Sequence, residues 1–464
     1  MSFDNSMTTK QFAALDAKAI MALTAADFAG MAPAFLAAMT SRQAALLGTQ
    51  QLSALPAASA AALTPATFAA LKPATLAAAA RSADFMAGLE SQQIAALTVA
   101  QATALGSDGI AALRAEAIAG FEAADLAALG TAVIAALAPE QMQALNTRQI
   151  GALTLRQIGA LLPPAGEQAI RLSAAQIGAL SALQVGALGT ALLAALDAEH
   201  LQAIEARDIA GLSTRQLAAL APEQFAVLGS AQLRALTAAQ AAGLPTAALA
   251  ALGAAGLQAL SSSAFANLGS GQIAALSADQ LHTLGTVQLA ALTTRQVLAL
   301  GSDALAALDP STLGALKPAL IGVLTSAQLP GLGAAGLAAL TTAQFAALRP
   351  AVLEGLSGEQ VAALSTKQAS ALTAQQLGAL SLAGVAGLEL ADIAVLRTAS
   401  LAGLSTRQLA ALSGEQLRAL TTAQAAALSS RQVNSLSAEA FAALEAADFA
   451  ALSSSVFAGM TAER

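Results

Sequence analysis

Leu292 to Leu300 reads LTTRQVLAL, and Leu212 to Leu220 reads LSTRQLAAL, a string that returns unchanged at Leu404 to Leu412. Each string begins and ends on Leu, eight residues apart. Outward from Leu212 the same beat falls on Leu220, Leu228, Leu236, Leu244, Leu252, Leu260 and Leu268. It continues to Leu452 and Met460, and backwards to Leu172. An internal period of this kind decides the architecture before any single residue is considered. Residues 172–460, 89–161 and 7–79 are therefore read as octapeptide repeats. They are separated by phase breaks at 80–88 and 162–171, the second containing Pro163, Pro164 and Gly166. Neither break offers a polar linker, so both are read as local bulges or kinks in one array. Residues 1–6 are a lead and 461–464 a tail.

With the Leu numbered 0, the unit is Leu, then Ser/Thr/Gly, two variable positions, Gln, an apolar residue, a variable position and Ala. Large apolar residues alternate at spacings of five and three. Strict alternation is missing and β-branched residues are few, which excludes strands. Leu and Ala favour helix. A continuous helix fails, because eight residues turn it by about 800° and the apolar stripe would drift by about 80° per unit.

Punctuation at position 1 resolves this. Ser or Thr there with Gln three residues later is a capping box, as in Thr8 with Gln11, Ser213 with Gln216 and Ser405 with Gln408. Pro33, Pro65, Pro73, Pro139, Pro222, Pro310, Pro318 and Pro350 all fall at position 2. That is the first helical residue after a cap, where a missing N–H is harmless. Gly48, Gly130, Gly189, Gly229, Gly253, Gly269, Gly285 and Gly333 occupy position 1, where a left-handed glycine ending the preceding helix is expected. Pro330 at position 6 is an exception to the phase rule. The expected fold is all-α: a solenoid of short capped helices of about two turns, one per octad, with three or four helices per superhelical turn. Positions 5 and 8 share the inner face, and Ala at position 7 permits close backbone approach. Position 3 carries Arg42, Arg148, Arg215, Arg295, Arg407 and Arg431 in some copies and Glu140, Glu223, Glu359, Glu415 and Glu439 in others, and so faces solvent.

Composition agrees. The 464 residues are 56% hydrophobic, 11% charged and 3% aromatic, with no Cys, Trp or Tyr, two His and 35 Gly. So few charges are unlike an ordinary globular domain. Without Cys there is neither disulfide nor thiolate metal site. The net charge of -7 opposes bulk electrostatic binding to nucleic acid or anionic lipid.

The octad resembles the Ala/Leu-rich LTxxQxxAL repeat tracts of large bacterial proteins of surface, adhesin-like or uncharacterised kind, over residues 7–460. That resemblance implies a repeat architecture more than an activity. Leu63, Thr64 and Pro65 also resemble the start of the first helix of transcription-activator-like effector repeats, with Thr67 in place of the Gln. Those repeats are longer, basic and carry a Gly-containing base-reading loop. This chain has neither feature, so reading of DNA bases is not implied.

Few residues suggest chemistry. His200 stands at position 4 beside Glu199, and replacement of the capping Gln is the expected role; His282 is at the variable position 6. No second His or Cys is near enough in sequence to complete a metal site. Asp27, Asp125, Asp208, Asp392 and Asp448 occupy position 4 and read as helix caps. The glycines of Gly253 to Gly256 and Gly269 to Gly271 follow no strand and carry no phosphate-loop Lys. No catalytic, cofactor-binding or metal-binding residue is therefore assigned, and no cofactor. Mean hydropathy is +0.65 and residues 235–278 hold no charged side chain, yet Ser, Thr, Gln and Gly recur in phase there and Pro245 interrupts, so no transmembrane span is assigned. MSFDNSMTTKQF is not a signal peptide. The expected function is a non-enzymatic structural protein that self-associates into a fibre, sheath or adhesive surface layer, reached by a signal-peptide-independent route. The alternative is a soluble α-solenoid scaffold binding a protein or nucleic-acid partner, and the alternative to export is a cytoplasmic location.

Overall fold

The computed structural model describes residues 6–161 and 172–460. The phase break at 162–171, most of the lead and the tail lie outside the described residues. Among those described, all regular structure is helical: fifty-two short α-helices and two 3-10 helices, with no strand. Most helices have five or six residues, about one and a half turns, slightly shorter than the two turns expected. The chain divides into two compact units, Met1–Ala235 and Leu236–Arg464, and each is built from the same step.

The step is clear at Thr286–Ala291. Gly285 precedes the helix with extended backbone (φ -84°, ψ 174°), and Leu292 closes it with φ -56° and ψ 146°. The Leu292 N–H donates to the Leu289 carbonyl at 3.2 Å, a tightened last turn that satisfies one terminal acceptor. Thr293, also extended at φ -106° and ψ 160°, then caps Thr294–Ala299 through its side chain. Two extended residues, positions 0 and 1, thus turn the corner between successive helices. The inner face carries positions 5 and 8: Leu289, Leu292, Val297 and Leu300 are all buried. Positions 1 to 3 of the same octad, Thr293, Thr294 and Arg295, are exposed.

Each helix packs mainly on the third helix along the chain. Thr9–Ala13 lies against Pro33–Ala38 in the first unit, and Ala238–Ala242 against Ser262–Ala266 in the second. Small residues at position 7 make this possible. A Cβ on Gly211 would overlap the Ala182 carbonyl, and one on Gly403 the Ala374 carbonyl. The break at 80–88 is accommodated by a longer helix, Pro73–Ala79, followed by Ala83–Gly88, with Ala79 and Ala80 buried between them.

Seven of the eight named position-1 glycines depart from expectation; Gly333, which ends the 3-10 helix Leu329–Leu332, has the positive φ expected. Gly48, Gly130, Gly189, Gly253, Gly269 and Gly285 have negative φ and extended backbone. They occupy the N-cap of the helix that follows, a conformation open to any residue, so no left-handed turn is needed. Positive φ occurs only at Gly106 (65°) and Gly333 (64°) among the described residues. At both, successive helical segments run directly into one another, as in Val99–Ala111. Pro330 has a local consequence: its octad forms the 3-10 helix Leu329–Leu332 in place of an α-helix, because a proline at position 6 has no N–H to give.

The phase assignment has a direct test. Thr294 is the first residue of its helix and follows an extended residue, so Thr294→Pro is expected to melt within a degree or two of the wild type. Ala290→Pro, inside Thr286–Ala291, is expected to cost about 3 kcal/mol. Thermal denaturation of the two variants side by side makes the comparison.

Candidate functional site

The most regular polar feature is a ladder of glutamines at position 4. Gln296 is 1% exposed. Its Oε1 accepts from the Thr293 N–H at 2.8 Å and the Thr293 hydroxyl at 2.9 Å. Its Nε2 donates to the carbonyls of Phe265 (3.0 Å) and Leu268 (2.8 Å), 31 and 28 residues earlier. One carboxamide therefore caps its own helix and ties down the corner of the turn before it. Gln51 does the same with Ile20 and Leu23, Gln328 with Val297 and Leu300, and Gln344 with Leu313 and Leu316. The corner carbonyl at position 0 has left the helix and cannot find an intrahelical donor. The glutamine supplies that donor. A 28-residue spacing corresponds to three and a half octads per superhelical turn, between the two values expected.

The spacing also reports the phase breaks. Gln93 reaches the Ala60 and Leu63 carbonyls, 33 and 30 residues back. Gln176 reaches those of Met142 and Leu145, 34 and 31 residues back. The ladder resumes on the far side of each break with its spacing lengthened by two and by three residues.

Other residues at position 4 show which part of the carboxamide matters. Ser59, Thr67 and Ser400 donate their hydroxyls to the carbonyls of Met31, Met39 and Leu372, each 28 residues earlier, at 3.0, 3.0 and 2.6 Å. His200 takes the same place. Its Nδ1 lies 2.7 Å from Asp197 Oδ1 and its Nε2 3.0 Å from the Leu172 carbonyl. The expected replacement of Gln is what the geometry shows. The Asp197 carboxyl is held below its ordinary value, chiefly by the His200 backbone N–H and then by its ring. The Glu199 side chain has no part in these bonds, although its backbone N–H also helps to lower Asp197. His282 ends the helix Ala278–His282.

The position-4 aspartates diverge. Asp27 accepts from the Thr24 N–H (2.7 Å) and hydroxyl (2.8 Å), the expected cap. Asp125, Asp208, Asp392 and Asp448 are instead buried. Asp208 has Arg207 Nε 3.6 Å away. In Asp125 and Asp392 one carboxylate oxygen, Oδ2, is buried without a hydrogen-bond partner. Burial pushes both carboxyls above the ordinary value; the cap N–H of Glu122 or Glu389 works against this, and the charge of the same glutamate adds to it.

Beside the ladder run shallow clefts that repeat with the array. In each, a position-3 residue faces the position-1 residue 26 earlier: Arg42 with Asp16, Arg148 with Glu122, Glu415 with Glu389, and Arg431 with Ser405. Their volumes are about 430 to 600 Å³. Two of these clefts set Arg against a carboxylate, one sets Glu against Glu and one Arg against Ser, so the four share no common charge. The position-3 Arg and Glu residues are exposed as expected. Among the described residues no group of three His, Asp or Glu side chains is placed to hold a metal, and no helix is long and apolar enough to cross a membrane. The glycines of 253–256 and 269–271 lie in ordinary octads.

The ALTTAQ repeat family model matches residues 118–155, 201–238, 385–422 and 409–438. This is a protein of Ala/Leu/Thr-rich repeats, similar to that family over under a third of its length. Each of the first three matches contains a complete rung of the ladder: Phe121 to Gln149, Ile204 to Gln232 and Leu388 to Gln416. No curated protein matches the chain.

Truncating a rung should be far more costly than removing the charge beside it. Gln296→Leu strands buried carbonyls and a cap N–H, and is expected to lose about 2 kcal/mol or more. Arg295→Ala should stay within about 0.5 kcal/mol. At the histidine rung, His200→Gln is expected to preserve stability and His200→Ala to lose about 1 kcal/mol or more. Chemical denaturation of the four variants decides it.

Proposed function

We propose that this chain is a non-enzymatic structural scaffold whose repeats associate head to tail with further copies of itself, building a fibre, sheath or surface layer. The observation that carries the reading is the exposure of core positions in the last described helices. Phe449 and Phe457, both at the inward position 5, are 39% and 42% exposed. They stack edge to face with each other at 5.3 Å, and Phe449 with Phe441 at 5.6 Å. At position 5 of central octads the residue is buried, as at Phe225, Phe265 and Phe345.

The first described helices offer the complement. Gln11 caps its helix by accepting from the Thr8 N–H at 2.9 Å, but it is exposed, and among the described residues no corner carbonyl accepts from its Nε2. Ladder donors and an uncovered turn of helices are what a further turn of the same array would meet at its apolar, carbonyl-bearing end. A second copy presents that surface. Contacts between two different surfaces do not close on themselves and propagate, and solenoid ends without a polar covering are prone to this. The resemblance to bacterial surface repeats fits a role in an adhesive layer. The four clefts share no common charge, which gives no support to a basic face for nucleic acid.

Sedimentation and negative-stain imaging across a concentration series provide the test. The wild type is expected to form lengthening assemblies, and Phe449→Glu with Phe457→Glu to remain monomeric while keeping its helical circular dichroism. Monodisperse monomers at every concentration would remove the proposal. Binding to DNA or RNA that weakens steeply with salt would favour the alternative of a nucleic-acid scaffold.

A further inference from the structure

Position 4 of the ladder makes one chemical demand. Where the residue is polar, a complete rung has the side chain accept from its own helix cap and donate to the corner carbonyl 28 residues earlier; apolar residues such as Leu192 and Val352 give up both bonds. Glutamine does both at any pH, and serine and threonine supply the donor through a hydroxyl. A carboxylate can only accept. Asp125 and Asp392 nevertheless occupy this position, at 2% and 1% exposure.

The acceptors they face follow from the register. Gln141 donates to the carbonyls of Ile110 and Leu113, and Gln408 to those of Leu377 and Leu380, at 31 and 28 residues. The equivalent corner carbonyls for the aspartates are those of Leu97 and Leu364, in residues that are themselves buried. Reach is not a difficulty. The still shorter Ser400 side chain meets its corner carbonyl at 2.6 Å. In both aspartates the buried Oδ2 lacks a partner.

We propose that Asp125 and Asp392 are held as neutral acids in the folded chain, each Oδ2–H donating to the corner carbonyl of Leu97 or Leu364, so that these two rungs close and open with a proton.

The surroundings provide no cation that would favour the ionised form. Asp125 has Glu122 at its own cap. The helices packed on Ala123–Ala128 are Val99–Ala111 and Thr147–Gly151. Their charged residues, Asp108 and Arg148, are exposed, and Arg148 lines the cleft with Glu122. Beneath lies Ser91–Ala95, with Glu90 at its cap. Asp392 has Glu389 at its own cap. Around it are Lys367 on Thr366–Ala371, Glu415 and Arg418 on Gly414–Arg418, and Glu359 on Gly358–Ala362, all exposed. Asp208 is the contrast, with Arg207 close by. Burial raises the folded-state value of both Asp125 and Asp392. Their contribution is therefore complete below the ordinary carboxylate value and is lost as pH rises through the raised one.

Two measurements test this. Carbon-13 titration of the wild-type carboxyls is expected to give midpoints for Asp125 and Asp392 above the ordinary carboxylate range. Asp125→Gln with Asp392→Gln is expected to raise Tm by several degrees at pH 7 and by little at pH 4, since the amide closes the rung at either pH. Midpoints within or below the ordinary range would overturn the proposal, as would a Tm gain equal at both pH values. A wild-type Tm at pH 7 that rises with added calcium chloride and falls back with chelator, the gain disappearing in the double variant, would also overturn it, by showing a cation where the proton is placed.

Discussion

The structure depends on one side-chain amide used in two directions. At position 4 the carbonyl oxygen of Gln faces its own helix and the NH2 faces the turn below. Helices of five or six residues are far too short to persist alone, because nucleation fixes several dihedrals for each hydrogen bond gained. They also leave almost as many backbone groups unpaired at their ends as they pair inside. The ladder meets both difficulties at once. The cap N–H of Thr293 and the corner carbonyl of Leu268 are joined through Gln296, so the end of one helix and the beginning of another, a turn apart, become a single buried hydrogen-bonded unit. Apolar burial at positions 5 and 8 supplies the non-directional attraction; the amide fixes the register.

This division of labour explains the tolerance of the array. Positions 2, 3 and 6 vary freely because they meet solvent. Insertions of two or three residues change the ladder spacing and leave the rungs intact, as Gln93 and Gln176 show. Ser, Thr and His at position 4 keep the rung because each can donate to the corner carbonyl, whereas apolar residues such as Leu192 and Val352 give it up. Shallow clefts in which a position-3 residue faces the position-1 residue 26 earlier follow from the same geometry.

Much of this was legible in the sequence. The eight-residue beat gave the helix length, the prolines at position 2 gave the phase, and Ser or Thr with Gln gave the caps. The alternation of Arg and Glu placed position 3 in solvent. The second half of the glutamine's role was not read, although a signal existed: Gln recurs at position 4 and Glu never does, while a cap alone accepts either. The difference is the donor, and its target lies 28 residues away, beyond any local pattern. All the named glycines at position 1 but Gly333 were misread, because a Gly after a helix and a Gly before one look alike when helices are separated by only two residues. The buried carboxyls of Asp125 and Asp392 look like ordinary caps in sequence. Only the packing of the preceding turn makes them unusual.

The most direct measurement is hydrogen exchange of the glutamine side-chain amides, followed by nitrogen-15 NMR. If each position-4 Nε2 is locked onto the carbonyls of the preceding turn, Gln51, Gln296 and Gln344 should exchange orders of magnitude more slowly than Gln11, whose Nε2 meets no corner carbonyl among the described residues. Uniformly fast exchange, with the central glutamines indistinguishable from Gln11, would contradict the ladder and the fold built upon it.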